Sequence, residues 1–318
     1  MAVIGYHASQ EQFSPADLLK LAIMARDAGF KAINTSEHFH PWSERQGHSG
    51  FSFAWLGASM YATGLPHGIV CSPGYRHHPA VVAQAAATLS QMFPDKFWIS
   101  VGSGEALNER ITGEKFPPKS ERNARLQECV YVMRKLLAGE RVSHRGLITV
   151  EEAKLYTRPD NPPLIIGAAV SEETAGWLGS WADGLITISR TPDELEKVVR
   201  AFKGNGGENK PMYLKVQLSF DRTDEEALHG AYDQWRTNIF ESSVLGELWT
   251  VQQFDEVGQR VRAEEMKDHV LISSDLRKYV KWIREFEDLG FEKIILHNVN
   301  RNQENFITAF AREVLPAL

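Results

Sequence analysis

At 318 residues, with 43% hydrophobic and 24% charged side chains, the chain can bury a large core, and no apolar run approaches the roughly 20 residues of a membrane span. A net charge of -6 without a basic stripe argues against nucleic-acid binding, and two cysteines, Cys71 and Cys129, form neither a disulfide framework nor a metal-binding spacing. The opening MAVIGYHASQ lacks the basic-then-apolar pattern of a signal peptide, so a soluble cytoplasmic protein is expected.

Strand-like and helix-like segments alternate along the chain. Residues 3–6 are a short apolar run. Ser14 then suits a helix N-cap and Pro15 the first helical position. Apolar residues recur at helical spacing from Leu18 to Ala25 until Gly29 stops the helix. Residues 31–36 read as the next strand, followed by a polar loop at 37–50 and an aromatic helix from Phe51 to Thr63. Strands at 68–72 and 97–102 flank an Ala-rich helix at 79–93, and a helix at 120–138 follows. Residues 141–156 break the rhythm: Gly146 lies between β-prone runs, which predicts an inserted hairpin. Alternation resumes with strand 164–167, helix 172–181, strand 184–188 and helix 192–202. Strand 213–220, helix 224–238, a helical excursion, a short strand at 270–272, helix 275–289, strand 293–297 and a closing helix complete the chain. No linker divides it, so residues 1–318 read as one domain. The alternation implies parallel strands with right-handed crossovers. So many repeats favour an α/β fold of the (β/α)8 TIM-barrel type, with eight parallel strands, over an open sheet.

In such a barrel the active site forms at the C-terminal ends of the strands. Polar and aromatic residues crowd the loops after strands two to four: Ser36 to Trp42, Ser72 to His78, and Gly102 to Glu109. Acid/base chemistry needs groups that tune toward neutral pKa, and Glu37, His38 and Glu105 are candidates. Phe39, Trp42 and residues 51–55 offer a flat apolar wall. A lone His or Glu on a loop is usually a solvated surface group, so the catalytic reading rests on convergence at one barrel mouth. Gly102-Ser103-Gly104 has the form of a phosphate-cradling turn, a pattern common on its own. His38-Phe39-His40 has the His-x-His form of a metal site, but later strands offer no further ligands, and no metal is expected. His77-His78 reads as one surface and one packed histidine. No strand is followed by a full Gly-x-Gly-x-x-Gly, which argues against a Rossmann dinucleotide site.

These loops resemble the luciferase-like flavin and deazaflavin oxidoreductases, above all the branch of the F420-dependent glucose-6-phosphate dehydrogenases. The resemblance covers nearly the whole chain. It is strongest in residues 5–15 (GYHASQEQFSP), 36–50 (SEHFHPWSERQGHSG), 84–93 and 102–109 (GSGEALNE), with Thr112-Gly113. It implies that His38 lies against the reactive face of the cofactor, that Trp42 shapes the pocket, and that Glu105 exchanges a proton with the cofactor ring. Glu37 stands where the branch has a cofactor-contacting Asp and Asn108 matches a cofactor-contacting Asn, and Ser72, Gly102 and Ser103 of the neighbouring strand ends are expected at the cofactor with them. Ile69-Val70 matches a strand-end peptide that is often cis and backs the ring.

The chain also departs from that branch. Where the sugar dehydrogenases hold a phosphate with a Thr, two Lys and an Arg, this chain carries Ile188, Thr191, Glu256 and His269, so a sugar phosphate is not expected as substrate. A glycine pair after strand five is replaced within residues 168–171, which puts Ala168, Ala169 and Ser171 at the cofactor phosphate. Ser171 and the helix behind it remain to hold one phosphate. Glu172 and Glu173 argue against a heavily charged cofactor tail. The pattern resembles a subgroup proposed to have reverted to an ordinary flavin, so FMN is expected and coenzyme F420 is the alternative. The expected activity is a flavin-dependent oxidoreductase, monooxygenase or dehydrogenase, passing a hydride between the ring and a small-molecule substrate. A homodimer is expected, with a flavin reductase as a candidate partner and neither nucleic acid nor membrane. The alternative of another class is a non-catalytic flavin-binding protein, which would hold flavin without turnover.

Overall fold

The computed structural model describes residues 1–318, apart from the side chains of Ser242 and Ser243. Strands β1 (Val3–Ala8), β2 (Ala32–Ser36), β3 (His67–Cys71) and β4 (Phe97–Val101) are followed by the hairpin strands β5 (Val142–Arg145) and β6 (Thr149–Ala153). Then come β7 (Ile165–Ala168), β8 (Gly184–Ile188), β9 (Met212–Ser219), β10 (Leu271–Ile272) and β11 (Lys293–Asn298). The helices are α1 (Pro15–Asp27), α2 (Ser52–Thr63), α3 (Pro79–Met92), α4 (Ala106–Glu109), α5 (Lys119–Leu137), α6 (Glu172–Gly179), α7 (Pro192–Phe202), α8 (Asp224–Trp235), α9 (Ser242–Glu247), α10 (Val251–Gly258), α11 (Leu276–Asp288) and α12 (Gln303–Ala309). Ser14 caps α1 as its sequence suggests, its hydroxyl accepting from the Asp17 amide at 3.2 Å. No helix is long and apolar enough to cross a membrane among the described residues.

Eight parallel strands close on themselves in the order β1-β2-β3-β4-β7-β8-β9-β11, with β11 pairing back to β1. This is the eight-stranded barrel that the alternation predicts, and the hairpin at β5–β6 is antiparallel and outside it. The short strand expected near 270–272 is present as β10 and lies outside the barrel, pairing only with β9, at Leu218 and Ser219. The reason is the length of β9. β8 ends at Ile188, opposite Lys215, and leaves the later residues of β9 with a free edge that β10 covers. One expectation changes: the Ile69–Val70 peptide is trans, as are all others among the described residues. Both residues sit in unbroken ladders, opposite Thr35 and Ser36 on one side and Ile99 and Ser100 on the other.

Alternation along each strand sorts side chains into two environments. Ile4, Tyr6, Ile33, Ile99, Leu214 and Val216 join the helices in one large core outside the sheet. Inside the barrel, Ala32, Trp98, Ile166, Ile186 and Tyr213 fill the floor. Gly68 makes room for Trp98, because a Cβ there would overlap the indole ring. Above this floor the inward positions turn polar: His7, Asn34 and Ser100 are buried, and His297 and Lys215 face them from β11 and β9. A packed apolar base under a polar upper layer fixes the C-terminal mouth as the place for chemistry.

Candidate active site

His38 follows β2 and stands at the centre of the mouth. Its Nδ1 is hydrogen-bonded to Glu11, a residue of the loop after β1, and its Nε2 lies 3.8 Å from Glu105 Oε2. Glu11 is 5% exposed, His38 17% and Glu105 39%, so the series runs from interior to solvent. Ser9 donates to the Glu11 carboxylate at 2.8 Å. Burial alone would keep the His38 ring neutral and Glu11 protonated. Their mutual charge and hydrogen bond outweigh it, raising the imidazole pKa and bringing Glu11 down to about 2. Glu105 occupies the N-cap position of α4 yet makes no cap hydrogen bond, which leaves its carboxylate free to face His38.

The loop that carries His38 is tied down by α4. Asn108 Oδ1 accepts from the amides of Phe39 and His40 at 2.8 and 3.0 Å. His40 Nδ1 turns to the Leu107 carbonyl, so His38 and His40 do not converge. Trp42 is buried, edge-on to His38 with ring centroids 5.5 Å apart, and backed by Phe254 of α10. Glu37, by contrast, is occupied. Arg76 Nη1 lies 2.5 Å and His77 Nε2 2.9 Å from its Oε2, and the side chain is 2% exposed. Burial would raise its pKa, but these two partners hold it at about 2. Arg76 also reaches Glu109 at 3.2 Å. This buried network braces the loops after β2 and β3.

A cradle lies beside this centre. Gly104 has φ +79, and a Cβ there would come within 2.6 Å of Ser72 Oγ. Gly102 neighbours Ala168, whose Cβ is 3.8 Å from where a Gly102 Cβ would be. Ser72 Oγ and Asn108 Nδ2 are buried without a protein partner, as a site for a polar ligand requires. Ser103 Oγ accepts from Lys119 Nζ at 2.9 Å. Arg122, one turn along α5, lies over the Phe116 ring at 4.3 Å and within electrostatic reach of Glu105. Ala169 is buried after β7. The Ser171 hydroxyl is committed to its own helix, bonded to the amide and hydroxyl of Thr174. Glu172 and Glu173 are exposed. Ile69 is fully buried in the outer core, while Val70 packs against the inner one.

Four residues of this site escaped the sequence reading. Glu11 stood inside a recognised segment, GYHASQEQFSP, but its role depends on touching His38, 27 positions away. Lys119 and Arg122 read as the polar face of a helix. Lys215 carried the clearest signal, the one charge in the middle of a largely apolar strand.

Residues 1–293 match the family described as luciferase-like monooxygenase. The chain belongs to this family. The F420-dependent glucose-6-phosphate dehydrogenase of Kribbella flavida is 33% identical, covering 99% of this chain and 98% of the relative. That of Amycolatopsis mediterranei is 31% identical over 100% and 99%. Among solved structures, an F420-dependent secondary alcohol dehydrogenase in complex with an F420-acetone adduct superposes with a TM-score of 0.91 at 29% identity, covering 100% and 99% of the two chains. The family fold extends to a type II Baeyer-Villiger monooxygenase with FMN, at 17% identity, 99% and 98% coverage and a TM-score of 0.71. The barrel seen here is therefore the luciferase-like one, and the chain is an oxidoreductase of that family.

Proposed function

We propose that this chain is a deazaflavin-dependent dehydrogenase, moving a hydride between coenzyme F420 and a small alcohol or carbonyl compound. The observation that carries the reading is His38, held between buried Glu11 and half-exposed Glu105 at the barrel mouth. Relatives at 29–33% identity are named for F420, whereas the FMN-bound neighbour is 17% identical. This supports F420 over the FMN expected from the sequence. The local charge supports it too. Lys119 and Arg122 bring two cations to the cradle for an anionic tail, with the exposed Glu173 within electrostatic reach of Lys119.

Ser72, Ser103 and Asn108 would hold the cofactor, with Gly102, Gly104 and Ala168 leaving space for it. When bound, F420 supplies a ring carbon that accepts or returns a hydride. In alcohol oxidation His38 Nε2 would take the O–H proton as the C–H hydrogen leaves with its electron pair for that ring, giving the carbonyl; in reduction His38 would return the proton. Glu11 fixes Nδ1 of His38 and so leaves Nε2 to the substrate oxygen. Glu105 relays the proton between His38 and solvent. Trp42 limits the space beside the ring.

The phosphate positions of the sugar dehydrogenases support a different substrate here. Thr191 caps α7 through Glu194, Glu256 accepts from Gln252, and His269 is exposed, so the Lys and Arg of the sugar dehydrogenases have no counterpart at these positions. The test is spectrophotometric. F420 absorbance should fall on adding small secondary alcohols, and rise again with their ketones. No turnover in either direction, alongside oxygen consumption with reduced FMN, would replace this reading with a flavin monooxygenase.

A further inference from the structure

The upper layer of the barrel holds a charge that the proton relay does not use. Lys215 is the central inward residue of β9, level with Ile188 and Ile295 on the neighbouring strands. It is partly buried, and its ammonium makes no ion pair or hydrogen bond among the described residues. Its ammonium lies over the Trp235 ring, 5.9 Å from the ring centre. Trp235 meets His297 edge-on at 4.8 Å, and His297 lies 4.3 Å from His7. Both histidines are 2% exposed with an Nδ1 that has no partner. Burial, reinforced by the Lys215 charge, keeps both rings neutral.

Burial lowers the Lys215 pKa, and an anion seated beside the ammonium would favour its charged form. The two nearby carboxylates do not serve. Glu11 is taken by His38 and Ser9, and Glu105 faces His38. Both act on Lys215 only through space. We propose that Lys215 is the anchor for a carboxylate on the substrate, so that the compounds handled are small hydroxy acids and the matching oxo acids. The interior of an eight-stranded barrel admits side chains or one small ligand, which suits a carboxylate better than a phosphorylated sugar. Lys215 stands within β9 and His38 on the loop beyond the end of β2, so an acid bound to the ammonium would present its hydroxyl toward the mouth, where Nε2 lies. The redox step is the one given above, and Lys215 only selects which alcohols reach it. The assignment rests on the dehydrogenase reading for its chemistry but not for its binding.

The test uses the full chain as purified, titrated by calorimetry with lactate and 3-hydroxybutyrate and with their uncharged amides, with and without added F420. At least one acid should bind about tenfold or more tighter than its amide. Lys215→Met, close in length, should remove that preference while leaving amide binding within twofold. Lys215→Arg should keep it. Equal binding of acid and amide by the wild-type chain would overturn the proposal, and this holds even if the variants fail to fold. So would an unchanged preference in folded Lys215→Met. A selective acid site in a chain that does not bind F420 would refute the cofactor reading alone. Turnover of neutral alcohols as fast as hydroxy acids would refute the Lys215 assignment alone.

Discussion

The Glu11–His38 pair makes a stability prediction that needs no cofactor. Glu11→Gln keeps the size of the side chain and removes its charge. In the folded protein the Glu11 carboxyl lies at about 2, against 4.5 for a free group. That difference corresponds to about 3 kcal/mol. The carboxyl is depressed on folding, so its contribution is present above about pH 5 and is lost as pH falls toward 2. His38 is raised on folding, so its contribution is complete below its free value of 6.5 and is lost as pH rises through its folded value. The pair is therefore worth most between about pH 5 and 6. Urea unfolding from pH 3 to 9 measures this. Wild type should lose stability on both sides of that window, and Glu11→Gln should be weaker by about 2–3 kcal/mol within it. NMR titration of the His38 ring should show a lower midpoint in the variant. An unchanged midpoint, with equal stability at pH 5.5, would refute the argument.

Further outcomes follow from the same geometry. Glu105→Gln and His38→Asn should each lower turnover by about 100- to 10,000-fold while changing cofactor affinity far less; turnover per bound cofactor, measured by stopped flow, separates this from a structural role. Glucose 6-phosphate should give no turnover on the order of 1–1000 per second with either cofactor, in a direct absorbance assay. Gly68→Ala should destabilise the fold by about 1–3 kcal/mol or more in denaturant unfolding, because its Cβ would overlap the Trp98 ring on the barrel floor.

Much of the architecture is legible in the sequence because each strand and helix carries its own local signals. Ser14-Pro15 starts a helix and Gly146 turns a hairpin through chemistry that acts within a few residues. β10 is legible as a short strand, but its place outside the barrel is not, because only the length of β9 decides it. His38 and Glu105 are readable from motif order. Glu37 is less so, since whether its carboxylate is free depends on Arg76, 39 positions on. The expectation of FMN came from the replaced glycine pair at 168–171, from Glu172 and Glu173 and from the resemblance to a flavin subgroup. Nothing in the sequence signals that Lys119 of α5 bonds Ser103 or that Arg122 lies within reach of Glu105, because a helix's charges carry no direction in one dimension.

Equilibrium titration of the apoprotein with F420 and with FMN, followed by absorbance at about 0.15 M salt, bears on the deazaflavin reading without any knowledge of substrate. F420 should bind the tighter of the two, and Lys119→Gln with Arg122→Gln should weaken it and flatten its salt dependence. Clearly tighter FMN binding, insensitive to those two cations, would contradict the account.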